Sequence, residues 1–540
     1  ECLVGSEMCI RDRYQMMKRL TEVFDKITLD DIKDKTCIRD IAQTIKERYV
    51  TPEGYSFPLM DFQETLFYHS KSFIRNEPTG LSCYIICRTQ LKGFFDPACW
   101  DKTLNHIINC HPLLHSILSE ESDKPEMITL PEYPTFKSSY EDITSMNKEQ
   151  QETFFLQKDE KDHDHRFDLK EYPLFYCNIY KTGEDEHELI IHIDHQIIDG
   201  FSFFQFLQEL TSTYDQFIAG KEITVEQEKG LTFSDYVFVE RFRRQTKRYQ
   251  NAMDFALKVF KDLPEKISIP TKCQPSLINK VHFNTLHTEL DSLLMNKVLE
   301  ISSHTSGICL NSLLMACYFK LMNLWSGQND LIINMPVFNR EQHLPNAKNI
   351  IGSFLDIFPV RIQTSPQEPI VSIARKIEQF VRTMLEYPIS SIELSRKIAE
   401  QEGLKQSSLS AIIFSNSINM LPKGISHSSR YLTIGAPKVQ TGAPGTYIDL
   451  VMYTWENKWC FDWNYVRELF DAEYIQLLSE QFTSMLNQLV DDTNTKGYEE
   501  RSCSNILPLF YIKLLEQTNK TEHAYPLKTI YEQISNTVDL

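Results

Sequence analysis

The fold of this chain is decided by the stretch Leu189-Ile190-Ile191-His192-Ile193-Asp194-His195-Gln196-Ile197-Ile198-Asp199-Gly200-Phe201-Ser202. Leu189, Ile191 and Ile193 alternate with other residues at the period of a strand. Beyond the stretch, apolar residues recur at helical spacing: Phe203, Phe206, Leu207, Leu210 and Tyr214. The polar residues between the two patterns are therefore predicted to lie on a loop that joins a strand to a helix.

The ends of this helix are also readable. Ser202 is a typical N-cap residue, and Gln205 three residues later would complete a capping box. Gly220 lies just beyond the apolar series, where helices commonly stop. Regular backbone on both sides makes the loop a suitable place to hold a catalytic side chain.

Composition excludes several classes of function. The chain has 540 residues, enough for two to four domains, and a formal net charge of −18. That charge argues against nucleic acid or an anionic membrane as partner, because neutralising phosphates needs a basic patch. No run approaches the roughly 18 apolar residues of a membrane-spanning helix. The 13 cysteines form no CxxC pair, which favours reduced thiols in a cytoplasm over a zinc site or a disulfide framework.

Strand and helix patterns fill the chain on both sides of the loop. The segment 120–164 is charged and broken and is predicted to be a surface connection, with His163 and His165 on a solvated loop. The remaining patterns predict helices after Asp61 and over 96–109, 233–258 and 312–325, and strands over 83–89, 331–335, 410–416 and 446–453.

A short motif in the loop resembles a known family. His195-x-x-x-Asp199-Gly200 is similar to the HHxxxDG signature of the condensation domains of non-ribosomal peptide synthetases, which share the fold of chloramphenicol acetyltransferase. Further stretches resemble the other motifs of that family in the same order: Phe57 to Gln63, Asn109 to Ser116, Phe233 to Val237, Asn334 to Arg340, Ile351 to Phe354 and Phe461 to Asn464. The resemblance covers roughly residues 52 to 497.

The resemblance implies an α/β fold of two lobes that form a pseudo-dimer, the first over 52–225 and the second over 226–497, with the catalytic loop between them. It implies that His195 either removes a proton from the acceptor amine or positions that amine. Asp199 would be structural and would pair with an arginine of the second lobe, with Arg340 the first candidate and Arg361 the reserve. Gly200 would permit a tight turn before the helix.

One departure from the motif leaves the reaction open. Asp194 replaces the first histidine, so the loop also reads DxxxxDxxS, the pattern of the heterocyclisation subfamily, which condenses Cys, Ser or Thr and then closes a thiazoline or oxazoline ring. In that interpretation Asp449 would match the aspartate implicated in cyclodehydration, and Ser415 stands where threonine is usual. The alternatives are a catalytically idle platform that docks carriers and, more weakly, a free-standing acyltransferase that uses coenzyme A.

The two ends of the chain resemble other parts of such synthetases. Residues 1–13 are similar to a translated sequencing adapter and are excluded from fold reasoning, while 14–48 resemble the last half of a carrier domain, with a generic helical hairpin as the alternative. Residues 498–540 resemble a linker and the start of an adenylation domain. The implied partners are upstream and downstream carrier domains and an adenylation domain. The substrates would ride on the phosphopantetheine of the carriers, whose attachment serine is not in this chain.

A metal site is the remaining alternative for the loop. His192, Asp194, His195 and Asp199 are suitable ligand types. His192, however, is expected to alternate with the buried strand residues, and the sequence offers no further ligand at suitable spacing. We therefore predict no metal and no directly bound cofactor.

Overall fold

The computed structural model describes residues 17–496 apart from 19, 22–23, 25, 33–37, 52–53, 75–83, 122–123, 224–230, 279–280, 339, 341–346, 388, 404–407, 419–429, 443–444 and 456–457. The predictions for residues 1–13 and 498–540 lie outside these described residues. Within them, no helix combines the length and the apolar character needed to cross a membrane.

The described helices are α1 (Leu29–Ile32), α2 (Ile38–Arg48), α3 (Asp61–Ile74), α4 (Pro97–Cys110), α5 (Lys148–Asp164), α6 (Gly200–Ile218), α7 (Phe233–Arg244), α8 (Lys247–Val259), α9 (Ser292–His304), α10 (Leu310–Ser326), α11 (Ile370–Leu385), α12 (Ser391–Glu402) and α13 (Ala472–Lys496). The strands are β1 (Val50–Thr51), β2 (Gly54–Pro58), β3 (Tyr84–Gly93), β4 (Ser116–Ser119), β5 (Glu126–Thr129), β6 (Ser139–Asp142), β7 (Phe175–Lys181), β8 (Glu186–Asp194), β9 (Phe283–Leu290), β10 (Asp330–Phe338), β11 (Leu355–Gln363), β12 (Ile412–Asn416), β13 (Leu432–Ile434), β14 (Lys438–Thr441), β15 (Ile448–Trp455) and β16 (Lys458–Val466).

The first lobe is built on a sheet with the order β13-β3-β8-β7-β6. Strand β8 lies in its middle, antiparallel to both β3 and β7, and its residues are buried from His187 to Asp194. Helix α6 follows after the loop and buries an apolar stripe that includes Phe203, Phe206 and Leu210. Each such side chain contributes roughly 1.5–3 kcal/mol when fully buried. The strand and the helix are therefore both held firmly, and the loop between them is fixed at its two ends.

The second lobe is built on a sheet with the order β11-β10-β12-β15-β16-β9. Strands β10, β12 and β15 are parallel neighbours, and the remaining pairs are antiparallel. Helix α10 is apolar nearly all round, and almost all its side chains are buried in the main core of this lobe. A smaller sheet, with the order β1-β2-β5-β4, lies beside the first lobe.

The two lobes are joined by more than side-chain contacts. Strands β13 and β14 belong to the second half of the chain, yet both pair antiparallel with β3 of the first lobe. Backbone hydrogen bonds therefore tie the second half of the chain to the sheet that carries the loop with His195.

The N-terminal helices pack on the first lobe. Ile27, Ile32 and Ile41 belong to the same buried cluster as the core of that lobe. The Lys26 ammonium donates to Glu126 at 2.7 Å and to the Ser56 hydroxyl at 2.8 Å. The structure thus shows where this segment sits, while its origin as part of a carrier domain stays a prediction.

Three of the local predictions were wrong. The segment 120–164 is not a simple surface connection, because it contains β5, β6 and α5, and His163 at the end of α5 is buried. The helix predicted over 233–258 is two helices, since Thr246 caps the second one through a hydrogen bond to the Tyr249 amide. The helix after the loop begins earlier than Ser202, as described below.

Candidate active site

The loop is closed by backbone hydrogen bonds at both ends. The Asp194 amide donates to the Leu174 carbonyl at 2.9 Å, and the Ile197 amide donates to the Asp194 carbonyl at 3.2 Å. At the other end the Asp199 amide donates to the Gly352 carbonyl at 2.9 Å. The loop therefore connects the sheet of the first lobe to a segment more than 150 residues later in the chain.

Asp199, rather than Ser202, is the N-cap of helix α6. Its Oδ1 atom accepts from the Ser202 amide at 2.7 Å, which is the capping bond of a helix start. Ser202 lies inside the first turn, where its hydroxyl donates to the Gly352 carbonyl at 2.8 Å and accepts from the Gly352 amide at 3.0 Å. The predicted capping box at Ser202 is therefore wrong, because a distant backbone segment engages that hydroxyl.

Both carboxylate oxygens of Asp199 are engaged in structural bonds. Oδ1 also accepts from Nη2 of Arg340 at 2.9 Å, and Oδ2 accepts from the Phe354 amide at 2.9 Å. The side chains of Asp199 and Arg340 are 0% and 6% exposed. With three donors on a buried carboxylate, Asp199 fixes the loop, and it is not part of the cavity lining.

Arg340 is held by hydrogen bonds from both Nη atoms and by two aromatic rings. Nη1 donates to the Ile350 carbonyl at 2.6 Å, and Nη2 also donates to the Ser202 hydroxyl. The guanidinium carbon lies 4.5 Å from the ring centre of Phe201 and 4.3 Å from that of Phe354. The reserve candidate, Arg361, lies elsewhere.

Arg361 instead pairs with Asp330, with Nη2 at 2.8 Å from Oδ2, on neighbouring strands of the second lobe. This pair is more exposed than the one formed by Arg340, with side chains 15% and 24% accessible. Arg340 is therefore the arginine that meets Asp199.

His195 is buried and lines a large cavity. The edge of its ring packs against Phe62, with ring centres 5.2 Å apart. Burial lowers the pKa of the imidazole below its usual 6.5, although the charge of Asp199 and the backbone of His195 and Ile198 oppose that shift. At neutral pH the imidazole is therefore uncharged and able to accept a proton or a hydrogen bond.

Asp194 does not belong to the cavity lining. Its Oδ1 atom accepts from the Gln196 amide at 2.9 Å, which stabilises the turn that follows β8. Burial raises the pKa of this carboxyl to about 7, and the hydrogen bond from Gln196 and the charge of Arg166 only partly offset the effect. Asp194, which replaces the first histidine of the motif, therefore stabilises the loop without lining the cavity.

Gly200 has a different role from the one predicted. It is the first residue of α6, its φ is not in the left-handed region, and a Cβ built on it would meet no atom within 4 Å. Gly200 lines the cavity beside His195. Its lack of a side chain leaves open space for a ligand, and no tight turn requires it.

The cavity is formed by both lobes. Its volume is about 1140 Å³, and its wall includes Phe62, His195 and Gly200 from the first lobe together with Asn334, Ser415 and Asp449 from the second. Pockets for drug-sized ligands are usually about 300–1,000 Å³. The cavity is therefore somewhat larger than a typical pocket for one drug-sized ligand.

A second polar cluster lines the same cavity. The Ser415 hydroxyl donates to Oδ1 of Asp449 at 2.7 Å, and the Thr441 hydroxyl lies 3.5 Å from Oδ2. Asp449 and Ser415 meet because β15 and β12 are parallel neighbours, with Asp449 beside Ile413. Burial raises the pKa of Asp449 to about 6, although the bonds from Ser415 and Thr441 oppose the shift.

Thr441 was missed by sequence reasoning. It reaches the cluster from β14, the strand that crosses to the first lobe and pairs with β3. No local signal in the sequence marks this threonine, because its position depends on strand pairing between distant parts of the chain.

The four residues considered as metal ligands are engaged separately. His192 was expected to alternate away from the buried residues, but it is fully buried because α5 covers the second face of β8. Its Nδ1 atom lies 3.1 Å from the Tyr176 hydroxyl, which donates to Asp162 at 2.6 Å. Asp194 and Asp199 bind the backbone and Arg340, as described above. Three of the four residues thus make structural hydrogen bonds, and the fourth, His195, lines the cavity.

Another group of ligand types occurs elsewhere among the described residues. His287, Glu289 and Cys460 place their ligand atoms within 4.8 Å of one another on β9 and β16. Lys458 pairs with Glu289 at 2.6 Å, and Asp462 binds Nδ1 of His287 at 2.6 Å. These contacts account for the group as a charge network between two strands.

Two α/β lobes, joined by strands β13 and β14 from the second half of the chain and enclosing a shared cavity lined by His195, form a two-lobed fold like that of chloramphenicol acetyltransferase. The family model described as Condensation domain matches residues 55–505 of this chain. The chain therefore belongs to the condensation domain family, whose members form amide bonds in non-ribosomal peptide synthetases.

Similar proteins agree with this assignment. Bacitracin synthase 1 of Bacillus licheniformis is 24% identical over 542 aligned residues, which cover 98% of this chain and 10% of that protein. The chain thus spans about a tenth of the length of this relative.

Solved structures agree on the fold. The EpoB cyclization-docking bidomain from Sorangium cellulosum superposes with a TM-score of 0.71 at 18% identity, over 84% of this chain and 90% of that one. The first condensation domain of the calcium-dependent antibiotic synthetase gives a TM-score of 0.69 at 15% identity, over 84% and 100% of the two chains. The predicted two-lobed fold is confirmed.

Proposed function

We propose that this chain catalyses amide-bond formation between an acyl or peptidyl thioester donor and an aminoacyl acceptor, each carried on the phosphopantetheine arm of a carrier domain. The observation that carries the proposal is the placement of an uncharged His195 in the wall of a cavity shared by both lobes. Aminolysis of a thioester needs an unprotonated amine close to the donor carbonyl, and bringing both into one cavity supplies that proximity.

We assign to His195 the role of accepting a hydrogen bond or a proton from the acceptor amine. An imidazole whose pKa lies below 6.5 is free to accept a hydrogen bond or a proton at neutral pH, and such a group typically contributes about 10²- to 10⁴-fold in rate. We assign to Asp199 the structural role of holding the loop in place, because its carboxylate oxygens already bind the Ser202 amide, Arg340 and the Phe354 amide. When the amine attacks the thioester, the new C–N bond forms, the C–S bond breaks, and the amine proton passes to the leaving thiolate.

The partners belong to the same proposal. We assign the donor to an upstream carrier domain and the acceptor to a downstream carrier domain loaded by an adenylation domain. The alignment with bacitracin synthase 1 supports this, because it covers 98% of the chain and so extends beyond the matched condensation domain. The cytoplasmic location inferred from the cysteine pattern is part of the proposal too.

A second candidate function is ring closure after condensation. The observation that favours it is the cluster of Asp449, Ser415 and Thr441 in the wall of the same cavity as His195. A carboxyl with a pKa of about 6 exchanges protons readily near neutral pH, as the dehydration of a Cys, Ser or Thr adduct requires. The resemblance of the loop to the DxxxxDxxS pattern supports the same candidate.

One experiment separates these functions. The full chain is incubated with an acyl-loaded upstream carrier and a downstream carrier loaded with Cys, Ser or Thr, and both carriers are followed by intact mass spectrometry. Transfer without further mass change supports amide formation, and loss of one water after transfer supports ring closure. No transfer with any pair would contradict both candidates and favour a platform that only docks carriers.

Two variants test the assigned roles. His195→Ala should slow transfer by about 10²- to 10⁴-fold while the protein still folds, with an unfolding midpoint lowered only by the loss of the ring that packs on Phe62. Asp449→Asn should leave transfer intact and remove the loss of water, if ring closure occurs. Transfer at the wild-type rate by His195→Ala would contradict the role of the imidazole.

A further inference from the structure

Two buried glutamines bind each other's backbone beside His195. Nε2 of Gln63 donates to the Gln196 carbonyl at 2.7 Å, and Nε2 of Gln196 donates to the Gln63 carbonyl at 3.0 Å. Both residues are almost completely buried. The Met60 amide also donates to Oε1 of Gln63 at 3.0 Å, which fixes the amide group in this orientation. The pair forms a reciprocal clasp between the first turn of α3 and the loop.

The clasp acts on the residues that flank it. Gln196 directly follows His195, and Gln63 directly follows Phe62, whose ring packs against the imidazole with centres 5.2 Å apart. The two hydrogen bonds therefore set the distance between the backbone that carries the imidazole and the backbone that carries the ring it packs on. Neither glutamine lines the cavity, so neither is placed to contact a substrate.

Helix α3 is itself held by other parts of the chain. The Ser390 hydroxyl donates to the Asp61 carboxylate, and Nη2 of Arg244 lies 2.7 Å from Oδ2 of the same residue. Arg396 of α12 donates to the Asp61 carbonyl at 2.8 Å. Helix α3 is therefore a rigid support, and the two clasp hydrogen bonds hold the loop in a fixed position relative to this helix.

From this geometry we infer that Gln63 and Gln196 are positioning residues, which hold the imidazole of His195 at the cavity wall through their reciprocal hydrogen bonds. Asp199 fixes the C-terminal end of the loop to Arg340 and Phe354, and the clasp fixes its N-terminal end to α3. The inference rests on the proposed function, since the clasp is inferred to hold His195, the residue proposed to accept a hydrogen bond or a proton from the amine.

The test compares Gln63→Met and Gln196→Met with wild type. Methionine is similar in length to glutamine but has no amide group, so each variant loses one of the two clasp bonds with little change in packing volume, and Gln63→Met also loses the bond from the Met60 amide. We expect the rate of transfer at saturating carriers to fall about 10- to 100-fold, because small displacements of a catalytic group have effects of that size. The KM for each loaded carrier should change less than twofold, since the clasp is outside the cavity.

A readout independent of catalysis accompanies the rates. The pKa of His195 is measured by NMR in protein labelled at histidine, with its signal assigned from the spectrum of His195→Ala. In both methionine variants the imidazole should move out of its buried position, so its pKa should rise toward 6.5. Asp199 is the charged group that acts on this imidazole, and it is unchanged in every variant.

Gln481→Met is the matched control. Gln481 is a buried glutamine of α13 that accepts a hydrogen bond from the indole of Trp325, outside the cavity lining. It should lower stability without changing the rate or the pKa of His195. Loss of stability alone in Gln63→Met and Gln196→Met, with an unchanged His195 pKa, would overturn the inference.

Two other outcomes, a Gln63→Met variant that does not fold and a wild-type protein that makes no product, still leave a measurement that decides. Should Gln63→Met not fold, Gln196→Met decides, because it keeps the bond from Nε2 of Gln63 and loses only the other one. Absence of product with wild-type protein would contradict the proposed function, while the pKa comparison would still decide whether the clasp holds the imidazole.

Discussion

Removing the carboxylate of Asp199 should destabilise the protein far more than its single ion pair suggests. Asp199→Ala leaves the Arg340 guanidinium buried without a counter-charge, removes the cap of α6 and strands the Phe354 amide. Breaking a buried ion pair from one side costs about 3–5 kcal/mol, and loss of an N-cap costs about 0.5–2 kcal/mol. Because these terms share atoms they do not add fully, so we expect a loss of about 4 kcal/mol.

Asp330→Ala supplies the matched control. Its ion pair with Arg361 has nearly the same length, 2.8 Å against 2.9 Å, but its side chains are 24% and 15% exposed rather than 0% and 6%. Solvent screens such a pair, so we expect a loss of about 1 kcal/mol or less. The contrast between the two variants compares a buried ion pair that also caps a helix and binds the Phe354 amide with a more exposed pair of similar length.

The assay is urea unfolding followed by tryptophan fluorescence, with the midpoint and the slope reported for each variant. In the double variant Asp199→Ala with Arg340→Leu, no unpaired charge remains, so part of the lost stability should return. Equal losses for Asp199→Ala and Asp330→Ala would refute the reasoning, as would a double variant no more stable than Asp199→Ala alone.

Three further predictions concern neighbouring residues. The pKa of Asp194 is raised from 3.8 to about 7, so its ionisation costs stability as pH rises between these values. Relative to wild type, Asp194→Asn should therefore gain about 3 kcal/mol of unfolding free energy from pH 5 to pH 8 in urea unfolding, and a constant difference would contradict this. Gly352→Ala would place a Cβ 2.5 Å from Phe233 and 2.9 Å from Phe354, so its urea midpoint should fall by the equivalent of about 1–3 kcal/mol, and an unchanged midpoint would show that the rings give way. Gly200→Leu should keep its stability and slow transfer in the mass assay, because the new side chain has open space only in the cavity; transfer at the wild-type rate would exclude this role.

Much of the local structure around the loop followed from the sequence. The alternation in β8 and the helical spacing in α6 depend on contacts within a few residues, so both elements appear as predicted. The start of α6 was misread because Asp199 and Ser202 are both N-cap types three residues apart. Only the bonds from Ser202 to Gly352, 150 positions away, decide between them.

Weak amphipathicity explains the element that was missed. Helix α5 is mostly charged and buries few side chains, so it has no clear apolar stripe. Its capping box between Asn147 and Gln150 is nevertheless present in the sequence and would have located its start. A search for caps as well as apolar periodicity would therefore have identified this helix.

The sequence by itself determined the strand, loop and helix that carry His195, together with the order of motifs that places Arg340 among the candidates for Asp199. The strand, loop and helix depend on short-range periodicity and on residue type, whereas the candidacy of Arg340 depends on the resemblance to the condensation domain family. The tertiary structure alone decided that Thr441 joins Asp449 and Ser415, that Gln63 and Gln196 bind each other's backbone carbonyls, and that Asp194 lies outside the cavity lining. Each of these depends on hydrogen bonds or strand pairing between segments far apart in the chain, and no local pattern records which distant partner a buried polar group will meet.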